Sequence, residues 1–194
     1  MDLSGNKLPS VDKLRNLKWL QSLIARDNKV ELCHLMSETK AQLQFLTTVD
    51  LTGNKIQKVR PLLARKLQKV VLDNNLINEV DFSAKGHDEL KILSLNKNKL
   101  CDLSGITNMK ALLELHLNQN EITSLKGISG CNELKVLNLN QNKLEAFDEV
   151  PHLPALEEIS MTHCPITSIA EVGKLIKYRN LKSLNLSETP LAEE

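Results

Sequence analysis

One pattern recurs along the chain and restricts the folds that it can adopt. In residues 112–122, LLELHLNQNEI, apolar side chains stand eight, five and three positions before Asn120 and two positions after it. The equivalents of Asn120, which we use as landmarks, are separated by 22, 26, 21, 23, 22, 22, 22 and 25 residues and fall at Asn6, Asn28, Asn54, Asn75, Asn98, Asn120, Asn142, Cys164 and Thr189. The same apolar positions are filled around eight of these landmarks. Such agreement does not arise by chance, and it predicts an array of stacked repeats.

The spacing within one unit predicts a short strand followed by a turn. Leu115 and Leu117 are two residues apart, so on an extended strand both point to one side, while His116 and Asn118 point to the other. The landmark asparagine ends the strand, and its side-chain amide can bond backbone groups that the turn leaves unpaired in its own coil and the next. One unit cannot bury its apolar side alone, so the copies must stack. The predicted structural asparagine ladder consists of Asn28, Asn54, Asn75, Asn98, Asn120 and Asn142.

The return side of each unit is too short for a full helix. After Asn120 the apolar residues are Ile122, Leu125 and Ile128, and a spacing near three is typical of a 3-10 turn. The sequence therefore predicts an α/β solenoid, with a parallel β-sheet on the concave face and mostly 3-10 turns on the convex face. The two longest units have room for short helical turns, which we place at 36–43 and 170–177.

The array is predicted to be a single domain over residues 1–194, with about eight or nine repeats and no evident caps. The sequence begins within a unit at Met1 and stops shortly after the landmark Thr189. Uncapped coils expose apolar surface and a strand edge. We therefore expect either a truncated chain or ends that dock onto neighbouring subunits, and we expect the isolated protein to self-associate.

Composition argues against several classes of function. Hydrophobic residues make up 41% of the chain but aromatic residues only 3%, which suits a core of identical aliphatic layers better than an enzyme. The net charge of +1, from 25 basic and 24 acidic residues, gives no basic surplus for nucleic acid or a membrane surface. Four widely spaced cysteines form no C-x-x-C pair, and no apolar run approaches the ~20 residues of a membrane helix. With no visible signal peptide, these features predict a cytoplasmic protein with free, buried thiols.

Lysines follow most landmarks, at the start of the return segments. Acidic residues balance them, so we interpret this edge as a solvated surface. The alternative is a basic ridge for tubulin or another acidic partner. These residues are Lys7, Lys29, Lys55, Lys99 and Lys143.

Residues with catalytic potential lack the companions that catalysis needs. His116 lies two residues from Glu114 on one side of a strand, and His163 precedes Cys164. No nucleophile, metal cluster or phosphate loop accompanies His116, which we interpret as an exposed interface residue. Cys164 occupies a landmark position, where a buried structural thiol is expected rather than a catalytic Cys–His pair. The prediction is a non-enzymatic protein with no cofactor and no metal.

The candidate site is the concave face, formed by the residues two, four and six positions before each landmark. Asparagine amides both donate and accept hydrogen bonds, so a polar patch of them beside apolar residues could bind a peptide backbone or a helix surface. The alternative is that these small polar residues only keep the sheet soluble. Aromatic anchors are absent from these positions, so the partner would have to supply them. The predicted protein-binding residues are Arg26, Asp50, Asp73, Ile92, Asn96, Glu114, His116, Asn118, Val136, Asn138 and Asn140.

The 22-residue unit L-x-x-L-x-L-x-x-N-x-I resembles the SDS22-like class of leucine-rich repeats over essentially the whole chain. That class includes a nuclear phosphatase regulator, an axonemal dynein light chain and a spliceosomal subunit. Within it, the opening MDLSGNKL, LKWL and DN are similar in order and spacing to a family of leucine-rich-repeat components of ciliary radial spokes. The closing EVGKL, LKSLNL and TPL also resemble that family.

The resemblance implies a scaffold in the ciliary axoneme that binds other axonemal proteins, either radial-spoke or dynein-associated, and neither nucleic acid nor membrane. The alternatives are a regulatory subunit of a protein phosphatase and a dynein-associated light chain. Phosphatase regulators of this class use acidic and aromatic residues on the concave face. Here those positions hold Asn, Ser, Thr and Ile, which weakens the phosphatase interpretation.

Overall fold

A computed structural model describes residues 1–31, 43–60, 64–82, 87–147 and 149–191. In chain order, the strands of these residues are β1 (Ser22–Ile24), β2 (Thr48–Asp50), β3 (Lys58–Val59), β4 (Lys69–Val71), β5 (Glu79–Val80), β6 (Ile92–Ser94), β7 (Glu114–His116), β8 (Val136–Asn138), β9 (Glu158–Ser160) and β10 (Ser183–Asn185). Eight of the described strands form one sheet in the order β1-β2-β4-β6-β7-β8-β9-β10, and β3 pairs with β5 in a second, smaller sheet. Each coil of the chain thus adds one strand to the main sheet.

The register of the main sheet reproduces the alignment of the repeats. All its strand pairs are parallel, and Leu93 pairs with Leu115 as Leu115 pairs with Leu137. These three leucines all stand five positions before their landmarks. Asp2 adds an isolated parallel bridge to Ile24, beside β1. Equivalent positions therefore stack from coil to coil, and the predicted parallel β-solenoid is confirmed.

The repeated apolar residues form one continuous core on one side of the sheet. In the central coil Leu112, Leu115, Leu117 and Ile122 are completely buried. Burying each such side chain contributes roughly 1.5–3 kcal/mol before the entropy of ordering is subtracted. Because these positions recur in every unit, the core is a stack of layers made mostly of leucine and isoleucine.

The asparagine ladder is confirmed, and each buried member joins two coils. Oδ1 of Asn120 accepts the N–H of Leu100 at 3.0 Å, and Nδ2 donates to the carbonyl oxygens of Leu95 at 2.9 Å and Leu117 at 3.0 Å. We expected these bonds in the landmark's own coil and the next, but they run to its own coil and the preceding one, whose unpaired groups face the side chain. The same pattern is made by Asn28, Asn54, Asn75, Asn98 and Asn142.

The residue directly before each landmark turns the chain at the end of the strand. Its φ is positive in every coil, and glycine fills this position only at Gly5 and Gly53. The left-handed conformation costs roughly 1–2 kcal/mol for a residue with a Cβ, so the turn is held by the landmark's hydrogen bonds. The other residues in this position are Asp27, Asn74, Lys97, Gln119, Gln141, His163 and Glu188.

The return segments are less helical than predicted. Among the described residues, 3-10 helices occur only at Asp12–Asn16 and Lys174–Lys177. The central units instead carry isolated turns. The N–H of Ile106 donates to the carbonyl oxygen of Leu103 at 2.9 Å, and directly before the strand the N–H of Leu112 donates to that of Met109 at 3.1 Å. The rest of each return is extended and bonds to the neighbouring coil, as in the β3–β5 pair.

Close backbone contact between the returns explains this difference. The N–H of Phe82 donates to the carbonyl oxygen of Gly105 at 2.8 Å, and a Cβ on Gly105 would lie 1.7 Å from the carbonyl oxygen of Val80. Extended returns therefore satisfy their backbone groups between coils, whereas one helical turn would satisfy few of them. Glycine allows the two backbones to approach this closely.

The last long unit forms the short helix that its length allows. Helix α1 spans Ile169–Gly173, and the Oγ of Ser168 caps it by accepting the N–H of Ala170 at 3.2 Å. A 3-10 turn follows at Lys174–Lys177, which confirms the helical turn predicted at 170–177. The other predicted turn, at 36–43, lies outside the described residues except for Leu43. No described helix is long and apolar enough to cross a membrane.

Candidate protein-binding face

The candidate site lies on the side of the main sheet that faces away from the core, which we call the open face. Residues six and four positions before each landmark flank the buried centre of the strand, as Glu114 and His116 flank Leu115. Residues two positions before the landmark continue this face, since the side chain of Asn96 bonds that of Ser94 at 2.9 Å. The eleven predicted binding residues all stand at these positions, but their hydrogen bonds divide them into groups with different roles.

Arg26 and Asp50 are committed to each other. The Arg26 Nε and Nη2 atoms lie 2.8 Å and 2.7 Å from Oδ2 of Asp50. Oδ1 of Asp50 accepts the N–H and the hydroxyl of Thr52. Burial by itself would raise the pKa of Asp50, but the hydrogen bonds from Arg26 and Thr52 outweigh it and lower this pKa. This pair therefore ties two coils together as an ionised unit.

Three asparagines two positions before their landmarks form a second ladder on the open face, which we call the outer amide row. Oδ1 of Asn96 accepts the N–H of Asn118 at 2.8 Å, and Oδ1 of Asn118 accepts the N–H of Asn140 at 2.9 Å. Oδ1 of Asn140 accepts the N–H of Thr162 at 2.8 Å. Each carbonyl oxygen thus pairs a backbone N–H of the following coil, and these side chains do more than keep the sheet soluble.

Asp73 begins the same row with a carboxylate. Its Oδ1 accepts the N–H of Asn96 at 2.8 Å and the hydroxyl of Ser94 at 2.7 Å. Its Oδ2 accepts the side-chain amide of Asn96 at 3.2 Å. Aspartate therefore makes the same coil-to-coil bond as asparagine at this position of the repeat.

The free hydrogen-bonding capacity of the row is that of a donor. Within the residues that the structure describes, Nδ2 of Asn118 and of Asn140 have no hydrogen-bond partner, whereas both Oδ1 atoms are occupied. We expected amides that both donate and accept. The structure leaves their N–H groups for a partner, and these suit carbonyl or carboxylate oxygens.

A chain of three polar side chains crosses strands β7 and β8. Nε2 of His116 lies 3.2 Å from Oε2 of Glu114, and Nδ1 of His116 lies 2.9 Å from Nδ2 of Asn138. This arrangement fits a neutral ring that accepts from Asn138 and donates to Glu114. Ile92 and Val136 pair with Glu114 from either side and are half-buried, so an apolar step borders the polar chain. No group of three or more His, Cys, Asp or Glu side chains in the described residues could hold a metal ion.

A groove follows the outer amide row along the solenoid. Its volume is about 580 Å³. One wall consists of the residues two positions before the landmarks, and the other of the left-handed residues directly before them. The lining residues are Thr52, Asp73, Asn74, Asn96, Lys97, Asn118, Gln119, Asn140 and Gln141.

The second wall was not predicted from the sequence, because only the positions two, four and six before each landmark were assigned to the binding face. Asn74, Lys97, Gln119 and Gln141 are exposed there, and the Gln119 side-chain amide donates to Oε1 of Gln141. The signal for this wall was present in the sequence, because polar side chains instead of glycine fill the position directly before four successive landmarks.

Two of the three described cysteines, Cys131 and Cys164, are buried as predicted, whereas the prediction of a buried thiol is wrong for Cys101. Cys164 is buried, and its Sγ donates to the carbonyl oxygen of Leu139 at 3.3 Å, in place of a landmark amide. Burial raises the pKa of the Cys164 and Cys131 thiols, which disfavours the reactive thiolate. Cys101 is free and exposed, and Cys33 with its neighbour His34 lies outside the described residues.

Comparison with known sequences supports the repeat assignment. The family model described as "Leucine Rich repeats (2 copies)" matches residues 110–152. Lumican of Gallus gallus is 31% identical over 136 residues, which are 66% of this chain and 39% of that protein. Podocan-like protein 1 of Mus musculus is 27% identical over 191 residues, 93% of this chain and 34% of that protein. The chain thus spans well under half the length of the curated relatives that it matches.

Solved structures share the fold. An internalin (inlF) from Listeria monocytogenes superposes with a TM-score of 0.79 at 23% identity, over 96% of this chain and 54% of that one. A leucine-rich-repeat protein of Leptospira interrogans superposes with a TM-score of 0.71 at 28% identity, over 99% of this chain and 55% of that one. The Leptospira interrogans protein is described as a leucine-rich-repeat protein, which agrees with the family model that matches residues 110–152.

Proposed function

Because the chain is a leucine-rich-repeat protein, we propose that it is a non-catalytic scaffold that binds another protein through the open face. The observation that carries this proposal is the outer amide row. Its Oδ1 atoms are occupied by the backbone of the next coil, while Nδ2 of Asn118 and Asn140 are free of partners among the described residues. A rigid row of donors in a groove suits a segment that presents oxygen atoms.

The dimensions of the groove suit a short stretch of polypeptide. Its lining residues come from five successive coils, between Thr52 and Gln141. With strands about 4.8 Å apart, five coils extend over about 19 Å. An extended peptide rises about 3.3 Å per residue, so roughly six residues fill this length. Backbone carbonyls of such a segment would accept from the free amides of Asn118 and Asn140.

We further propose that the partners are axonemal and that the protein is a scaffold of the ciliary radial spoke, in the cytoplasm of the cilium. Support for this finer assignment comes from the resemblance of the opening and closing segments to radial-spoke components. The phosphatase alternative is the weaker candidate, because the amides of the open face differ from the acidic and aromatic residues that such regulators use. A dynein-associated light chain is a further alternative within the axoneme.

The proposal can be tested by exchanging donors for acceptors in the outer amide row. Asn118→Asp combined with Asn140→Asp keeps Oδ1 for the backbone N–H of the next coil, as Asp73 does naturally. The exchange removes both free N–H₂ groups and adds negative charge. We expect the double variant to lose at least tenfold of its partner binding, with little change in its thermal unfolding.

The matched control is Asn185→Asp, which makes the same chemical change on the open face but outside the groove. All three proteins would be used to capture proteins from axonemal extract, followed by quantitative mass spectrometry. Proteins held by the wild type and the control, but not by the double variant, would support the proposal. Equal capture by all three would overturn it, and a phosphatase catalytic subunit among the lost proteins would replace the radial-spoke assignment.

A further inference from the structure

A second surface lies on the opposite rim of the main sheet, where the strands begin. The residues nine positions before three successive landmarks are Trp19, Phe45 and Lys66. The Trp19 and Phe45 rings stack with their centroids 4.9 Å apart and their planes 19° apart. Nζ of Lys66 lies 5.4 Å from the centroid of the Phe45 ring. We call this stacked row the aromatic rim.

The fold makes little use of the aromatic rim. Trp19 is 77% exposed, and Leu17 beside it is 43% exposed. Tryptophan is the residue type most enriched at the energetic centres of protein interfaces, because it buries a large rigid surface at a small entropy cost. Aromatic residues, which are absent from the predicted binding positions of the open face, are therefore present on this rim.

Positive charge surrounds the aromatic rim. Lys18 and Arg65 stand one position before Trp19 and Lys66, and both are exposed. Among the described residues, neither they nor Lys66 has an ion-pair partner. In the following coil Asp88 and Glu89 fill the same two positions, so the basic strip ends after three coils. The positive charge is confined to this strip, since the whole chain carries a net charge of only +1.

We propose that the aromatic rim is a second docking site, which binds an acidic segment of another protein that carries an aromatic side chain. The aromatic side chain stacks on the exposed face of Trp19, and the flanking carboxylates pair with Lys18, Arg65 and Lys66. This site is separate from the groove on the open face, so the two can hold two proteins at once. A scaffold with two such sites would join its partners.

The size of the site favours a peptide over single-stranded nucleic acid, which also stacks on aromatic residues. Three coils extend over about 10 Å of sheet. Proteins that bind single strands use a longer basic groove, with site sizes of about 4–16 nucleotides per domain. Here Asp88 and Glu89 would repel a phosphate backbone that continued along the rim.

The protein contains its own reporter, because Trp19 is its only tryptophan. The probe is a synthetic peptide with one Phe between two blocks of four Glu residues, added to the full chain while tryptophan emission and acrylamide quenching are recorded. We expect the peptide to shift the emission of Trp19 and to protect it from acrylamide. Two comparison ligands are a peptide with Lys in place of Glu and a 12-nucleotide oligothymidylate.

Lys66→Glu should weaken binding of the acidic peptide at least tenfold. The matched control is Lys110→Glu, which reverses an exposed charge one position from the same rim row but two coils further along. The Asn118→Asp, Asn140→Asp double variant should bind the peptide as the wild type does, which separates this site from the proposed function of the open face. An unchanged Trp19 signal, equal binding of the lysine peptide, tighter binding of the oligonucleotide or equal effects of the two charge reversals would each overturn the proposal.

Discussion

At the scale of single residues, the landmark asparagines explain why the repeat can be recognised so easily in the sequence. A strand that ends in a sharp turn leaves backbone groups inside the protein that no neighbouring strand can pair. A buried asparagine side chain supplies both a donor and an acceptor there, and Asn120 uses both. Cys164 shows that one function alone can also be used, since its thiol donates to the carbonyl oxygen of Leu139.

Replacing Asn120 by alanine should therefore destabilise the protein strongly. The change leaves the buried N–H of Leu100 without its side-chain acceptor, at a cost of about 1–3 kcal/mol. The carbonyl oxygens of Leu95 and Leu117 each lose one donor but keep the amide of another landmark asparagine, at a cost of about 0.5–1.5 kcal/mol each. We expect a loss of about 2 kcal/mol or more in the free energy of unfolding, measured by urea denaturation.

Asn6→Ala is the matched control. Asn6 is exposed, and within the described part of the chain it bonds only carbonyl oxygens of its own coil, those of Leu3 and Ser4, which water can hydrate after the change. Its loss should stay below about 1 kcal/mol. Similar losses for the two variants would show that the inter-coil bonds of the ladder contribute little.

The same residue type on the open face shows where sequence reasoning stops. The spacing of Asn96, Asn118 and Asn140 predicted that they share one face, and they do. That their oxygens pair the backbone of the next coil could not be read from spacing, because the bond depends on how far one coil is displaced from the next. We expected these amides both to donate and to accept. Because their oxygens are occupied by the next coil, only their N–H groups are left for a partner.

At the scale of elements, the strands were easier to predict than the returns. A strand of three residues is set by one buried apolar residue between two residues of the open face, whereas the return depends on contacts with the neighbouring coil. Gly105 illustrates this point, because its lack of a Cβ permits a close backbone contact with Val80 that the apolar spacing does not reveal. Helix α1 lies in the 25-residue last unit, as the length of that unit predicted.

The return before β6 contains a buried histidine that should make stability depend on pH. His87 is only 4% exposed, its ring meets that of Phe82 edge-on at 5.3 Å, and neither ring nitrogen has a hydrogen-bond partner among the described residues. Burial lowers the pKa of His87 below its ordinary value of 6.5, and the nearby Asp88 and Asp81 only partly oppose this effect. Below pH 6.5 the unfolded chain therefore binds a proton that the folded chain resists, so stability falls as the pH decreases.

His87→Leu should remove this part of the pH dependence. Between pH 7 and pH 5, the urea midpoint of the wild type should fall further than that of the variant. His152→Leu, which changes an exposed histidine, should keep the fall seen in the wild type. If His87→Leu and the wild type lose the same stability over this range, protonation of His87 does not destabilise the fold.

At the scale of the whole molecule, the residues that form the core and the residues of the candidate binding surfaces occupy different positions in the repeat. The positions that set the fold are uniform from coil to coil, and they were predicted. The candidate binding surfaces consist of residues that differ from coil to coil. They are the amide donors of Asn118 and Asn140, and the aromatic residues Trp19 and Phe45 nine positions before their landmarks. A residue type that recurs in every coil can be recognised from the sequence alone. A residue that occurs in only some coils can be assigned to a surface only when the stacked structure shows which side chains lie next to it.

The stacking also determines how damage should spread through the molecule. In the main sheet each strand pairs only with the strands of adjacent coils, so the array is close to one-dimensional. Leu117→Ala empties part of a fully buried layer and should cost about 2–5 kcal/mol. The loss should act first on the coils that share this layer, since no long-range pairing joins them to the distant ends of the described sheet.

Hydrogen exchange under native conditions can resolve this pattern along the chain. In Leu117→Ala, amides of β6, β7 and β8 should exchange much faster than in the wild type, while those of β1 and β2 should change least. Leu113→Ala, at a half-buried position of the same coil, should reproduce the pattern only weakly. Equal acceleration from β1 to β10 would instead mean that the solenoid opens as one cooperative unit, and a partner bound at either surface would then stabilise every coil to the same extent.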